Sequence, residues 1–146
     1  MNQQPVPPDC LSDVARKCFE TAVRKGWWDK YYSRDETPRR AMTPDEVAAK
    51  LCLIHSEVSE ALEEVRNDRP SLYFSRGAST PGMSFSEECQ QDDAGAKPEG
   101  LAAELADVVI RVFDLAGFLD IDIADVIKLK MAYNESRPHR HGGKKL

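Results

Sequence analysis

The chain lacks every common nucleotide-loop and metal-finger signature. No pair among Cys10, Cys18, Cys52 and Cys89 has C-x-x-C spacing, and the only histidine close to one of them is His55, beside Cys52. A zinc finger and a disulfide framework are both disfavoured by that pattern. No G-x-x-x-x-G-K-[ST] run occurs, and no G-x-G-x-x-G follows a strand. No alternating apolar/polar stretch stands out, so strands are not expected. No apolar run approaches the roughly 20 residues that cross a bilayer, and the polar, Pro-rich Met1 to Asp9 does not read as a signal peptide. A cytoplasmic protein away from the membrane is the expectation. The net charge of -5 argues against nucleic acid as a bulk electrostatic partner. It leaves a phosphorylated small molecule open, because a bound divalent ion reverses the local sign.

What is present is a helical pattern. At 146 residues, 41% hydrophobic and 31% charged, the chain has the size and composition of one domain with a real core. We read residues 1–146 as a single all-α domain. It has a lead-in (1–10), an inserted loop (68–100) and a basic tail (138–146). Leu11 to Gly26 repeats apolar residues at three- and four-residue steps. The aromatic knot of Trp27, Trp28, Tyr31 and Tyr32 follows; it either packs on a bundle end or offers a platform for a nucleobase. Thr43-Pro44-Asp45-Glu46 is a helix start, with a cap, a proline at the first helical position and a capping-box acid. Val47, Leu51, Ile54, Val58, Ala61, Leu62 and Val65 then form the stripe expected to face the core. Residues 68–100 hold Pro and Gly among Ser and Asp, as a lid or a passive insertion would. Leu101 to Phe118 is the most apolar helix, with Leu101, Leu105, Val108, Val109, Val112 and Ala116 as its main stripe. Gly117 is expected to end it. Asp122 is the cap of a last helix, stopped by Pro138. The resulting architecture is a four-helix-bundle-like core with a long loop inserted between two acid-bearing helices.

Those two helices carry the chemistry. Glu57 and Glu60 are three residues apart, as are Glu104 and Asp107, so each pair shares a helix face. Two such faces, opposed, gather four carboxylates, which repel one another unless a cation or protons neutralise them. Glu64 extends the first stripe and is a further candidate ligand. On the second helix Glu104, Asp107, Arg111 and Asp114 recur along one stripe of an otherwise apolar helix. Asp107 and Arg111 can pair at i,i+4, which leaves Glu104 without an obvious partner. Oxygen-only donor sets suit Mg²⁺, which commonly bridges a few carboxylates to substrate phosphates. Lys130, Asn134 and Arg137 fall on one side of the last helix and suit phosphate or sugar recognition. A carboxylate-bridged di-iron bundle would need Glu-x-x-His pairs, which these helices lack.

These motifs carry a resemblance. Leu53-Ile54-His55-Ser56-Glu57-Val58-Ser59-Glu60-Ala61-Leu62-Glu63-Glu64 is followed by Lys97-Pro98-Glu99-Gly100 running into Glu104-Leu105-Ala106-Asp107-Val108-Val109. The last part is Lys130-Met131-Ala132-Tyr133-Asn134-Glu135-Ser136-Arg137-Pro138. Together they resemble the MazG-like members of the all-α nucleotide pyrophosphohydrolase superfamily, whose signature is E-x-x-E, then E-x-x-D, then a closing K-x-x-x-N-x-x-R helix. The resemblance implies Mg²⁺, with Mn²⁺ able to substitute, held by Glu57, Glu60, Glu104 and Asp107. It implies hydrolysis of a (deoxy)nucleoside triphosphate between the α and β phosphates to a monophosphate and pyrophosphate. Lys130, Asn134 and Arg137 would then meet phosphate or sugar, with Arg111 a further candidate, and Trp27 or Trp28 would border the base. Homodimers or dimers of dimers follow, with helices of two chains forming the site. The insertion makes the spacing from Glu60 to Glu104 longer than the family usually shows. The competing reading is a non-catalytic helical protein that binds a nucleotide or a partner.

Overall fold

The computed structural model describes residues 10–31, 40–75 and 96–138. They are mostly helical: α1 (Cys10–Arg24), α2 (Pro44–Arg66), α3 (Leu101–Phe118) and α4 (Ile123–Glu135), with two short strands, β1 (Tyr73–Ser75) and β2 (Lys97–Glu99). None of these helices is long and apolar enough to cross a membrane. Tyr32, the basic tail and the middle of the insertion lie outside the described residues. The chain divides into two compact units, Met1–Thr43 with Ile110–Leu146, and Pro44–Val109.

Helix ends follow local chemistry. Pro44 opens α2 and Asp122 caps α4, its carboxylate accepting the Asp125 N–H at 3.1 Å. At their C-terminal ends α1, α2 and α3 close alike. After α1, Gly26 takes a φ of 81°, its N–H reaches the Val23 carbonyl, and the Trp27 N–H reaches Ala22. The same pair of bonds, with Asp68 (φ 51°) and Asp120 (φ 54°) in the left-handed position, ends α2 and α3. This is the Schellman arrangement, which satisfies carbonyls that a helix end leaves open. Gly117 does not end α3, contrary to expectation: the helix runs through it to Phe118. Its lack of a side chain lets α1 approach, since a Cβ there would lie 2.6 Å from Phe19.

The first unit has an aromatic core. Trp28 is fully buried, Tyr31, Phe113, Leu115, Ala116 and Ala124 are buried around it, and its indole stacks on Phe118 at 4.3 Å. Phe19 and Tyr31 meet it edge-on or tilted. The indole N–H donates to Asp114 at 2.6 Å, so this buried polar group is satisfied.

The second unit packs differently, and it corrects two expectations. The strands, unexpected from the sequence, pair antiparallel with Tyr73 opposite Glu99 and Ser75 opposite Lys97, closing the base of the insertion. The apolar stripe of α2 faces inward only in part: Ala61 is buried and Val47 and Ile54 half-buried, but Leu51, Val58, Leu62 and Val65 keep between 49% and 58% of their surface exposed. The buried positions of α2 are Glu57 and Ala61. On α3, Leu105 and Val109 are likewise exposed while Glu104 is buried. Glu57 and Glu104 thus take inward positions, while Glu60 and Asp107 stay exposed and large aliphatic side chains remain on the surface of α2 and α3.

Candidate metal centre

Two helices of the second unit bring the acids together. Glu57 lies midway along α2 and Glu104 and Asp107 lie in the first two turns of α3. A carboxylate oxygen from each of the three falls within 4.8 Å of the others. Glu57 and Glu104 are 4% and 8% exposed, which is uncommon for a carboxylate without a compensating charge. Asp107 opens to solvent.

Glu104 is the most telling member. Among the described residues no side chain donates a hydrogen bond to its carboxylate. Burial pushes its carboxyl above the ordinary glutamate range, and the negative charges of Glu60, Asp107 and Glu57 push it the same way. Lys97 opposes them. A buried carboxylate lacking a hydrogen bond, among other carboxylates, could help hold a metal ion.

The start of α3 is held firmly. Gly100 has a φ of 99°, and a Cβ there would lie 2.7 Å from the Pro70 carbonyl and 2.9 Å from that of Ser71. The Ser71 carbonyl accepts the Ala102 N–H at 2.8 Å, one of the donors a helix start leaves open. The strand pair and the acid-bearing turn therefore form one corner.

The other sequence candidates fall as follows. Glu60 is exposed and outside the trio, though its charge is felt at Glu104. Glu64, a possible ligand by sequence, is engaged elsewhere: it accepts the Tyr73 hydroxyl at 3.1 Å and lies 4.0 Å from Arg69. Trp28, a candidate to border a base, is instead fully buried in the aromatic core with its indole N–H on Asp114. Trp27 is 69% exposed. On α4 and just past its end, the Lys130 ammonium and the Arg137 guanidinium lie 5.1 Å and 5.7 Å from the centre of the Tyr133 ring. Asn134 is exposed and Arg111 half-buried.

Two features escaped the sequence reading. The first is the chain Arg69, Tyr73, Glu64, which ties β1 to α2: the Arg69 guanidinium donates to the Tyr73 hydroxyl at 2.9 Å, and that hydroxyl donates to Glu64. The second is Lys97 on β2. Its ammonium donates to Glu99 at 3.0 Å, and it holds its proton more tightly than usual, through Glu99 first and through Glu104 and Asp107 beyond it. The same contact holds the Glu99 carboxyl below its usual range. The Lys97-Pro98-Glu99-Gly100 run ahead of an acidic helix was the available signal.

A cleft of about 370 Å³ lies wholly in the aromatic unit, lined by Ser12, Arg16, Phe19, Phe113, Asp120 and Asp122 among others. Its cation is engaged, Arg16 meeting Asp13 at 3.1 Å and Glu20 at 2.8 Å. Compared with known family models, curated proteins and solved structures, the chain matches none.

Proposed function

We propose that the chain is a Mg²⁺-dependent nucleotide pyrophosphohydrolase that cleaves a (deoxy)nucleoside triphosphate between its α and β phosphates. One observation carries the reading: Glu104, nine-tenths buried and with no hydrogen bond to its carboxylate among the described residues, shares a small space with Glu57 and Asp107. Such a group is costly to keep ionised unless a cation occupies the space. Glu57, Glu104 and Asp107 would hold the ion, with Glu60 close enough in charge to complete the set. The ion would supply charge neutralisation at the phosphates and a more acidic water. Glu60, exposed and outside the trio, would be the candidate to accept the proton that an attacking water releases. Lys130, Asn134, Arg137 and Arg111 remain the candidates for phosphate and sugar, and Trp27 for the base, on chemistry alone.

The proposal includes the MazG-like assignment, a bundle-like core and a homo-oligomer. The exposed stripe of Leu51, Val58, Leu62 and Val65 supports the oligomer, because its large aliphatic side chains form one contiguous helix face. A second copy laid on that stripe would supply the helices that a bundle needs.

The test is incubation of the purified chain with a panel of NTPs and dNTPs plus Mg²⁺, and separately Mn²⁺, with products identified. A monophosphate and pyrophosphate from at least one nucleotide is the expected result. A folded sample that releases no pyrophosphate from any of them overturns the reading.

A further inference from the structure

The acid trio concentrates negative charge, and a nucleoside polyphosphate adds more. A protein cation beside the ion would offset that charge, and the strand pair carries one. β2 runs through Gly100 directly into α3, whose first two turns hold Glu104 and Asp107. The corner is held by contacts on both sides. Gly100 is wedged against the Pro70 and Ser71 carbonyls, and the facing strand is tied to α2 by the Tyr73 hydroxyl on Glu64. Register places Lys97 opposite Ser75. Its ammonium lies 3.0 Å from Glu99, with 69% of the side chain exposed, and it feels the charge of Glu104 and Asp107. An ion pair so open to water is weak and easily exchanged. Glu99 keeps other stabilising neighbours, the Ser75 hydroxyl and Arg69, so releasing Lys97 does not strand it.

We propose that Lys97 is a polyphosphate-binding residue of the candidate metal centre, resting on Glu99 in the free protein and transferring to the pyrophosphate portion of a bound nucleotide. The inference rests on the nucleotide-hydrolase reading and names a residue which that reading does not use. A lysine suits the role as a compact, mobile point charge with three donors. Its place on β2, four residues before α3 begins, and its exposed side chain give it reach without a change in the helix.

The probe is inorganic pyrophosphate with Mg²⁺, titrated calorimetrically into the full chain and into Lys97→Met, Lys97→Arg and Glu99→Gln. Lys97→Met is expected to weaken pyrophosphate binding by about tenfold or more, and Lys97→Arg to restore much of it, because both long cations can contact phosphate. Glu99→Gln, which loosens the resting contact, is expected to bind pyrophosphate at least as tightly as the native chain. Binding of Mg²⁺ alone should not weaken in Lys97→Met. The inference is overturned if Lys97→Met binds pyrophosphate within twofold of the native chain, or if the native chain does not bind it. Failure of the hydrolase reading shows separately, as a nucleotide panel without pyrophosphate release.

Discussion

The two units of this chain solve burial in opposite ways. The aromatic unit buries Trp28, Tyr31, Phe113, Leu115, Ala116 and Ala124, and satisfies its buried indole with Asp114. Apart from Gly100, the acid-bearing unit buries only Ala61, Glu57 and Glu104 among its described residues, and leaves Leu51, Val58, Leu62, Val65, Leu105 and Val109 exposed. Apolar area removed from water stabilises a fold by roughly 25 cal/mol per Å², whereas burying a carboxylate costs free energy that its partners must offset. The first unit therefore has an apolar interior with its buried polar group satisfied, and the second has an interior that holds two carboxylates.

The contrast is sharpest if the acids are removed. Glu57→Gln, Glu104→Gln or Asp107→Asn should lower nucleotide turnover on the order of 10³-fold, the scale of losing several kcal/mol of charge stabilisation at the reacting phosphates. The same changes should raise the unfolding free energy of the metal-free chain by about 1 kcal/mol, because they delete repulsion. In the aromatic unit, no substitution should be both inactivating and stabilising. Gly117→Ala should cost about 1–3 kcal/mol in urea unfolding, since its methyl group would meet Phe19. Turnover per folded molecule should be retained.

A pH series separates the units further. The Glu104 carboxyl lies above its usual range in the fold. Its stabilising contribution is therefore complete below the ordinary glutamate range and is lost as pH rises through the raised folded value. Glu99 runs the other way, contributing above the ordinary range and losing that contribution as pH falls through its lowered value. Metal-free chain should thus lose stability between mild acid and neutrality, and Glu104→Gln should flatten that limb of a thermal-unfolding series. The smallest expected effect treats the units alike. Asp68→Gly and Asp120→Gly relieve the same left-handed cap conformation, one in each unit. Each should raise stability by about 0.5 kcal/mol after the entropy of glycine in the unfolded chain is offset.

Much of the helical layout was legible because caps and periodicity are local. Pro44, Asp122 and the span Leu101–Phe118 stand where their residues put them. The faces of α2 and α3 were not legible. Periodicity shows that a stripe exists, not what covers it, so Leu51 and Val58 were read as core while Glu57 took the inside. The strand pair was hidden for another reason. Three-residue strands joined across more than 20 positions carry no pattern of their own, and their register decides where Lys97 stands. Trp28 was ambiguous because an aromatic residue suits a core and a ligand platform equally; the Phe118 stack and the Asp114 acceptor settle it.

The central claim is that Glu57, Glu104 and Asp107 form a divalent-metal centre. Thermal unfolding at neutral pH with increasing Mg²⁺ tests it most directly, comparing the native chain with Glu104→Gln. Saturation at about 100 times the dissociation constant should add about 2.7 kcal/mol to the native chain, a rise of about 5 °C or more, and much less to the variant. Equal shifts in the two proteins, or none in either, would contradict it.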